Sequence, residues 1–325
     1  MRRRTLAAFL GLSLATRLRG ASGQSLVPRI GYVWLGSAGS DDTTKSGLLK
    51  GLAELGYVDG KSIAIDYRYA DGDERRLGSL FAELLAANPA LLVVPGVVAT
   101  RAAVLATSSV PIVSVTTDPV SAGFARTLAV PGRNVTGMAV AAGAVIVGKL
   151  IEFSRELVPN VREIAVLHNP ASSVSLANAR GIHQHAARFG ITVSLHGASN
   201  QRELSGALDA VARSRPQILI VDADALFYAN SHLIVSFAER QHLPAVYALR
   251  EFVDAGGLLS YGASIFDLWH RAARHVDRIL KGSSPAQIPI EQPIKFELVI
   301  NSRTAKDLGI PLSPLLLGRA DEVIE

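Results

Sequence analysis

An α/β fold of two doubly wound parallel-sheet lobes, joined by a multi-segment hinge, is what this sequence predicts, and two observations carry it. Strand-like and helix-like stretches alternate from residue 30 onward, the order that builds a parallel sheet with crossover helices. The alternation is also run twice. Pro111, Ile112 and Val113, followed by Val120, Ala122 and Gly123, recur as Pro244, Ala245 and Val246, followed by Val253, Ala255 and Gly256. Ile30 and Ile164, Gly56 and Gly190, and Pro89 and Pro216 keep the same order at nearly the same offset, so the chain reads as two copies of a β-α-β-α unit. With 325 residues, 49% of them hydrophobic, it has the material for two cores.

Each element has its own signal. Residues 30–35 are a short apolar run suited to a buried strand. Leu77, Leu80, Phe81, Leu84 and Leu85 mark one face of a helix, with Asp73 placed to cap it. Residues 91–94 and 112–115 are further strands, reached through turns containing Pro89 and Pro111. Residues 134–139 and 258–262 each follow a Gly-containing turn and are expected as crossings between the lobes, with 296–300 as a third, which suits a hinge that opens and closes. The resulting division is a leader at 1–23, a first lobe at 29–137 to which 263–290 returns, and a second lobe at 138–262 to which 296–325 returns.

Charge and cysteine content narrow the function. The formal charge is +5, but Arg2, Arg3, Arg4, Arg17 and Arg19 supply five of those positives within the first nineteen residues, leaving the rest of the chain near neutrality and without a basic face for nucleic acid. Arg2, Arg3 and Arg4, the apolar run at 6–15 and the small residues Ala21, Ser22 and Gly23 read as a cleaved export signal; the arginines before the run resemble a twin-arginine signal, while Arg17 and Arg19 make the cleavage region unusually basic and leave the export pathway open. The run is about half the ~20 residues of a membrane-spanning helix. No cysteine is present, which excludes disulfides, catalytic thiols, thiolate zinc sites and a lipid anchor on an N-terminal cysteine, so the exported chain is expected in a periplasm.

Ligands of doubly wound sheets bind beyond the carboxyl ends of the strands, and two facing lobes then line one cleft. At those positions stand Trp34, Gly36 and Ser37, then Gly96, Ala99 and Thr100 at a helix start, where unpaired N–H groups suit a carboxylate. Thr117 and Asp118 close the next strand, although Asp before Pro119 also starts turns. In the second copy Asn169, Asp222 and Asp224 occupy strand ends; either aspartate suits an ammonium or caps the helix that follows. Arg250, shifted from Thr117, is a candidate to clamp a carboxylate or to form a salt bridge. Tyr261, with Phe227, Tyr228 and Tyr247, is a candidate to hold a ring or simply to fill the core. The expected ligand is a zwitterion, its carboxylate on Gly96–Thr100 and Ser37 and its ammonium on Asp222. The scattered histidines form no metal site, and no cofactor is expected. A secreted enzyme using Asp118 or Asp222 as acid or base is the alternative, but no Gly-x-Ser-x-Gly elbow, P-loop or dinucleotide fingerprint appears.

Several long blocks resemble one bacterial family. They are Gly51-Leu-Ala-Glu-Leu-Gly-Tyr-Val-Asp-Gly-Lys61, Asp118-Pro119 leading to Pro131-Gly-Arg-Asn-Val-Thr-Gly137, Arg250-Glu251-Phe252 with Gly256-Gly-Leu-Leu-Ser-Tyr-Gly262, and Lys295-Phe-Glu-Leu-Val-Ile-Asn301. From Arg29 to Glu325 the chain is similar to ABC-transporter substrate-binding proteins whose relatives include tryptophan and tyrosine binders. The resemblance implies a periplasmic-binding-protein type I fold, a small-molecule ligand of amino-acid type, an inner-membrane permease as partner, and no catalysis. One block departs from the family pattern: a Gly-Gly-Thr-Pro-like turn is replaced by Pro95-Gly-Val-Val-Ala-Thr100.

Overall fold

The computed structural model describes residues 27–39, 42–140 and 144–325; the leader read at 1–23 lies outside them. The first sheet uses β1 (Arg29–Trp34), β2 (Ala64–Tyr69), β3 (Leu91–Pro95), β4 (Ile112–Thr116) and β5 (Val135–Ala139), with α1 (Asp42–Glu54), α2 (Leu77–Ala86) and α3 (Val97–Ala106) between them. Its order is β2-β1-β3-β4-β5 and every ladder is parallel. After α4 (Ala144–Leu157) the pattern repeats as β6 (Glu163–His168), α5 (Ser173–Ala187), β7 (Thr192–Gly197), α6 (Gln201–Ser214), β8 (Ile218–Val221), α7 (Ala225–Ala229), α8 (Ser231–Arg240), β9 (Ala245–Tyr247), α9 (Glu251–Asp254) and β10 (Leu259–Ala263). Then follow α10 (Ile265–Leu280), β11 (Phe296–Asn301), α11 (Ser302–Asp307), α12 (Pro314–Arg319) and β12 (Glu322–Ile324).

The second sheet runs β12-β11-β10-β9-β8-β6-β7. Its last five strands reproduce the first sheet's order, which is the structural content of the sequence echo. Only the β10–β11 ladder in it is antiparallel.

Both sheets are covered on two faces, so their central strands are continuous apolar runs, the signature of buried parallel strands. In the first lobe Ile30, Tyr32, Leu91 and Val93 pack with α1 and α10, while Val33, Leu92 and Val94 face α2 and α3. In the second, Ile164, Val166, Ile218 and Ile220 pack beneath α4 and α5, and Ala165, Leu167, Leu219 and Val221 face α6 and α8. One local expectation shifts. Asp73 does not cap α2 directly; it accepts from the Arg75 amide and caps a single 3-10 turn that runs into α2.

The crossings also move by one element. Residues 134–139 and 258–262 carry the last parallel strand of each unit, β5 and β10, and 296–300 belong to β11. The chain changes lobe after β5, after β10 and just before β11. The third passage runs along the first lobe: Thr136 donates to the Ile288 carbonyl at 2.8 Å, and Glu291 exchanges backbone bonds with Gly137 and Ala139.

The second crossing is fixed by α10 lying on α1. A Cβ added at Gly51 would stand 2.2 Å from the His270 carbonyl oxygen, and one at Gly47 would stand 2.6 Å from that of Phe266. The two backbones therefore nearly touch, and Leu48, Leu52, Trp269, Ala272 and Val276 interlock around the contact. Gly51→Val should lower stability by roughly 2 kcal/mol or more through overpacking, read by urea unfolding. Gly206→Ala, on the open face of α6 with nothing within 4 Å, should instead raise it by about 0.5–1 kcal/mol. A Gly51 variant as stable as the wild type would show that the helices are not held at this distance.

Candidate ligand-binding site

In the first sheet the connection from β1 goes to β2 on one side and that from β3 goes to β4 on the other, opening a crevice between the ends of β1 and β3. Trp34 ends β1, with Gly36 and Ser37 after it, and Gly96 follows β3. The second sheet has the matching crevice between β6 and β8, where Asn169 and the run Asp222 to Asp224 stand. The crevices face each other. The Trp34 ring meets Tyr228 of α7 edge-on, with centroids 5.9 Å apart and planes at 83°. Close by, a Cβ at Gly96 would lie 3.6 Å from that of Ala225.

On the first-lobe side, Gly96 adopts φ +83°, a conformation glycine alone reaches cheaply, and its N–H donates to the Val115 carbonyl at 2.9 Å. It caps α3 without a side-chain hydrogen bond, so the first-turn amides have no side-chain acceptor at the cap. Gly36 accepts from the Asp71 amide at 3.2 Å, and Arg76 holds the Asp71 carboxyl below the usual carboxylate range, with Ser37 favouring the same anion.

The second-lobe side is acidic. Asp224 caps α7, its Oδ1 accepting from the Leu226 amide at 2.9 Å and from Asn169 Nδ2 at 3.1 Å. Its Oδ2 makes no hydrogen bond with any described residue. Burial raises its pKa, against the pull of those two donors. Asp222 lies deeper, 1% exposed, with Oδ1 accepting from Asn178 Nδ2 at 3.0 Å and Oδ2 buried without a hydrogen-bond partner among the described residues. Burial pushes its carboxyl up to about 7, and Ser175, Asn178 and the Ala223 amide oppose the rise.

A family model described as ABC transporter substrate binding protein matches residues 33–324. The chain belongs to that family. A tyrosine-binding protein of Clostridioides difficile (strain R20291) is 27% identical over 270 residues, covering 83% of this chain and 77% of that protein. Among solved structures, the ABC domain from Streptococcus pneumonia in complex with L-Trp is 27% identical with a TM-score of 0.83, over 91% of this chain and 99% of that one. A conserved domain protein from Vibrio cholerae is 27% identical with a TM-score of 0.84, over 92% and 100%. The substrate-binding protein thus captures a small molecule for a transporter and is not an enzyme. Among the described residues no helix is long and apolar enough to cross a membrane.

Several residues read as contacts from the sequence serve the substrate-binding protein elsewhere. Ala99 is in the first lobe's core. Thr100 is fully buried, donating to the Gly96 carbonyl at 2.6 Å and sharing a bond of 2.7 Å with the Ser114 hydroxyl, so α3 offers backbone amides rather than a hydroxyl. Asp118 spends Oδ1 on the Val120 and Ser121 amides, both at 3.0 Å, and Oδ2 on the Ser121 hydroxyl, which makes it the start of its own turn; Thr117, half-buried, precedes it at the end of β4. Tyr261 packs between Phe153 and Phe296, and Phe227 and Tyr247 are core. Asn178 and Ser175 escaped the sequence reading; their i, i+3 spacing at the start of α5 was the available signal.

Arg250 forms the salt bridge that is its alternative reading. It donates to Asp254 through two bonds of 3.2 Å and to Glu322 of β12 at 2.7 Å. The Glu322 carboxyl is held below its usual range by this guanidinium, so its contribution is present above the ordinary carboxylate range and is lost as pH falls through the lowered value. Hydrogen-exchange protection at residues 322–324, taken relative to the intrinsic rate at each pH, should therefore fall in acid for the wild type, and already at neutral pH for Arg250→Gln. Equal exchange in both proteins at pH 7 would show that this ion pair does not hold β12.

Proposed function

We propose that the protein captures a zwitterionic aromatic amino acid between its lobes and delivers it to an importer permease in the inner membrane. The carboxylate sits on the first-turn amides of α3, the ammonium on Asp224, and the ring against Trp34 and Tyr228. One observation carries this reading: Asp224 is adjacent to the residue where the lobes touch, directly across from the uncapped start of α3. A helix start favours an anion without any cation, and the Asp224 Oδ2 supplies the opposite pole. The names of the relatives that bind tyrosine and L-Trp support the ligand class. The ammonium moves from Asp222, where the sequence put it, to Asp224, because Asp222 is shut in behind α5. Export to the periplasm through the leader at 1–23 completes the proposal.

Each pole lies in a different lobe, so only the closed form holds both, and ligand binding shifts the population toward closure. Asp224→Asn keeps the cap of α7, since Asn caps as well as Asp, but removes the charge. Calorimetry with L-tryptophan and L-tyrosine should show an affinity loss of about 2–5 kcal/mol in this variant, the range for breaking a desolvated charge pair. Affinity equal to wild type would dismiss Asp224 as the ammonium site. No binding of any aromatic amino acid by the wild type would dismiss the ligand class.

A further inference from the structure

We infer that Asp222 is a positioning residue for the ligand's cationic group: buried two residues before Asp224 in the turn after β8, with one oxygen held by Asn178 and the other without a partner among the described residues, it couples capture of the cation to release of a proton. The inference rests on the reading of Asp224 as the ammonium site.

Two sets of polar contacts fix the two carboxyls in the crevice between β6 and β8. Asn169 reaches Asp224 with Nδ2 at 3.1 Å, while its own N–H donates to Ser175 Oγ at 2.9 Å and its Oδ1 accepts from the Ala171 amide at 2.9 Å. Asn169 is thereby pinned at three atoms, and the Asp224 carboxylate is pinned by Asn169. The Asp222 carboxyl accepts from Asn178 of α5 at 3.0 Å, and Ser175 on the same helix favours its anion. One oxygen of the Asp222 carboxyl is buried with no hydrogen-bond partner among the described residues.

The groups around Asp222 leave it without a cation. From α5 it meets neutral Ser175 and Asn178. His168 ends β6, the strand paired with β8, and burial holds it toward the neutral form. From the β8–α7 turn comes Asp224, a like charge that opposes ionisation. A carboxyl so placed keeps its proton near neutrality. When an ammonium neutralises Asp224, that opposition is removed and the cation's own field favours the Asp222 anion. The O–H bond of Asp222 breaks, the electron pair stays on the carboxylate, and the proton passes to solvent buffer. Binding that releases a proton strengthens as pH rises.

Two measurements test this. Carbon-13 carboxyl titration of the ligand-free protein should place the Asp222 midpoint near 7, and Asp224→Asn should move it down. An ordinary carboxylate midpoint, or one that Asp224→Asn leaves unmoved, overturns the inference whatever the ligand is. Calorimetry with L-tryptophan between pH 5.5 and 8, in buffers of different ionisation enthalpy, should show up to one proton released below pH 7. For a coupling of one pKa unit, affinity rises about tenfold over that span. Asp222→Asn should bind with no proton release and a flat pH profile, which a purely structural Asp222 would not produce. A flat wild-type profile, or a variant that still releases the proton, overturns the inference. Absence of L-tryptophan binding at every pH counts against the aromatic ligand instead, and the carboxyl titration then decides on Asp222 alone.

Discussion

A parallel sheet leaves a gap wherever two neighbouring strands send their connections to opposite sides, and this constraint governs the molecule. At the gap between β1 and β3 the nearest backbone is the start of α3; at the gap between β6 and β8 it is the turn that leads into α7. Polar groups gather there because the sheet provides nothing to cover them. The remaining architecture serves to set the two gaps against each other. The close α1–α10 approach, the strap at 285–291 along β5, and the β10–β11 ladder each tie a crossing segment to one lobe, so the lobes can turn relative to each other only at the short passages between those ties.

The duplication has kept the strand order and changed the chemistry. In the first lobe the crevice presents backbone amides and an aromatic ring; in the second it presents carboxyls. The turn after the fourth strand shows the same divergence. Asp118 uses both its oxygens within its own turn, whereas Glu251, at the matching place in the second unit, has both oxygens buried without hydrogen-bond partners among the described residues and is pushed up to about 7 by that burial. Equivalent positions in the two units therefore share a backbone address without sharing a role.

That distinction separates what the sequence discloses from what it hides. Strands such as Leu91–Pro95 announce themselves because burial on both faces demands an uninterrupted apolar run, and the repeated spacing of Pro111 and Pro244 discloses the duplication. The crossings were displaced by one element because β5, an apolar run after a turn, looks the same whether it joins a sheet or leaves it. At the site, strand-end addresses were legible but side-chain direction was not. Asp222 and Asp224 are two residues apart, yet one is shut beneath α5 and the other caps α7 at the lobe contact. Arg250 looked free because its partner Glu322 lies 72 residues away, on a strand added outside the repeat.

The two tryptophans of the chain stand in very different surroundings. Trp269 is sealed inside the first lobe among residues of α1 and α10 and travels with them as a unit. Trp34 has a ring from the opposite lobe against it. Ultraviolet emission from Trp34 must respond to any change in lobe separation or to an occupant beside it, while Trp269 contributes a steady background. The molecule accordingly carries its own optical gauge, with one indole at the gap between the lobes and the other as internal reference.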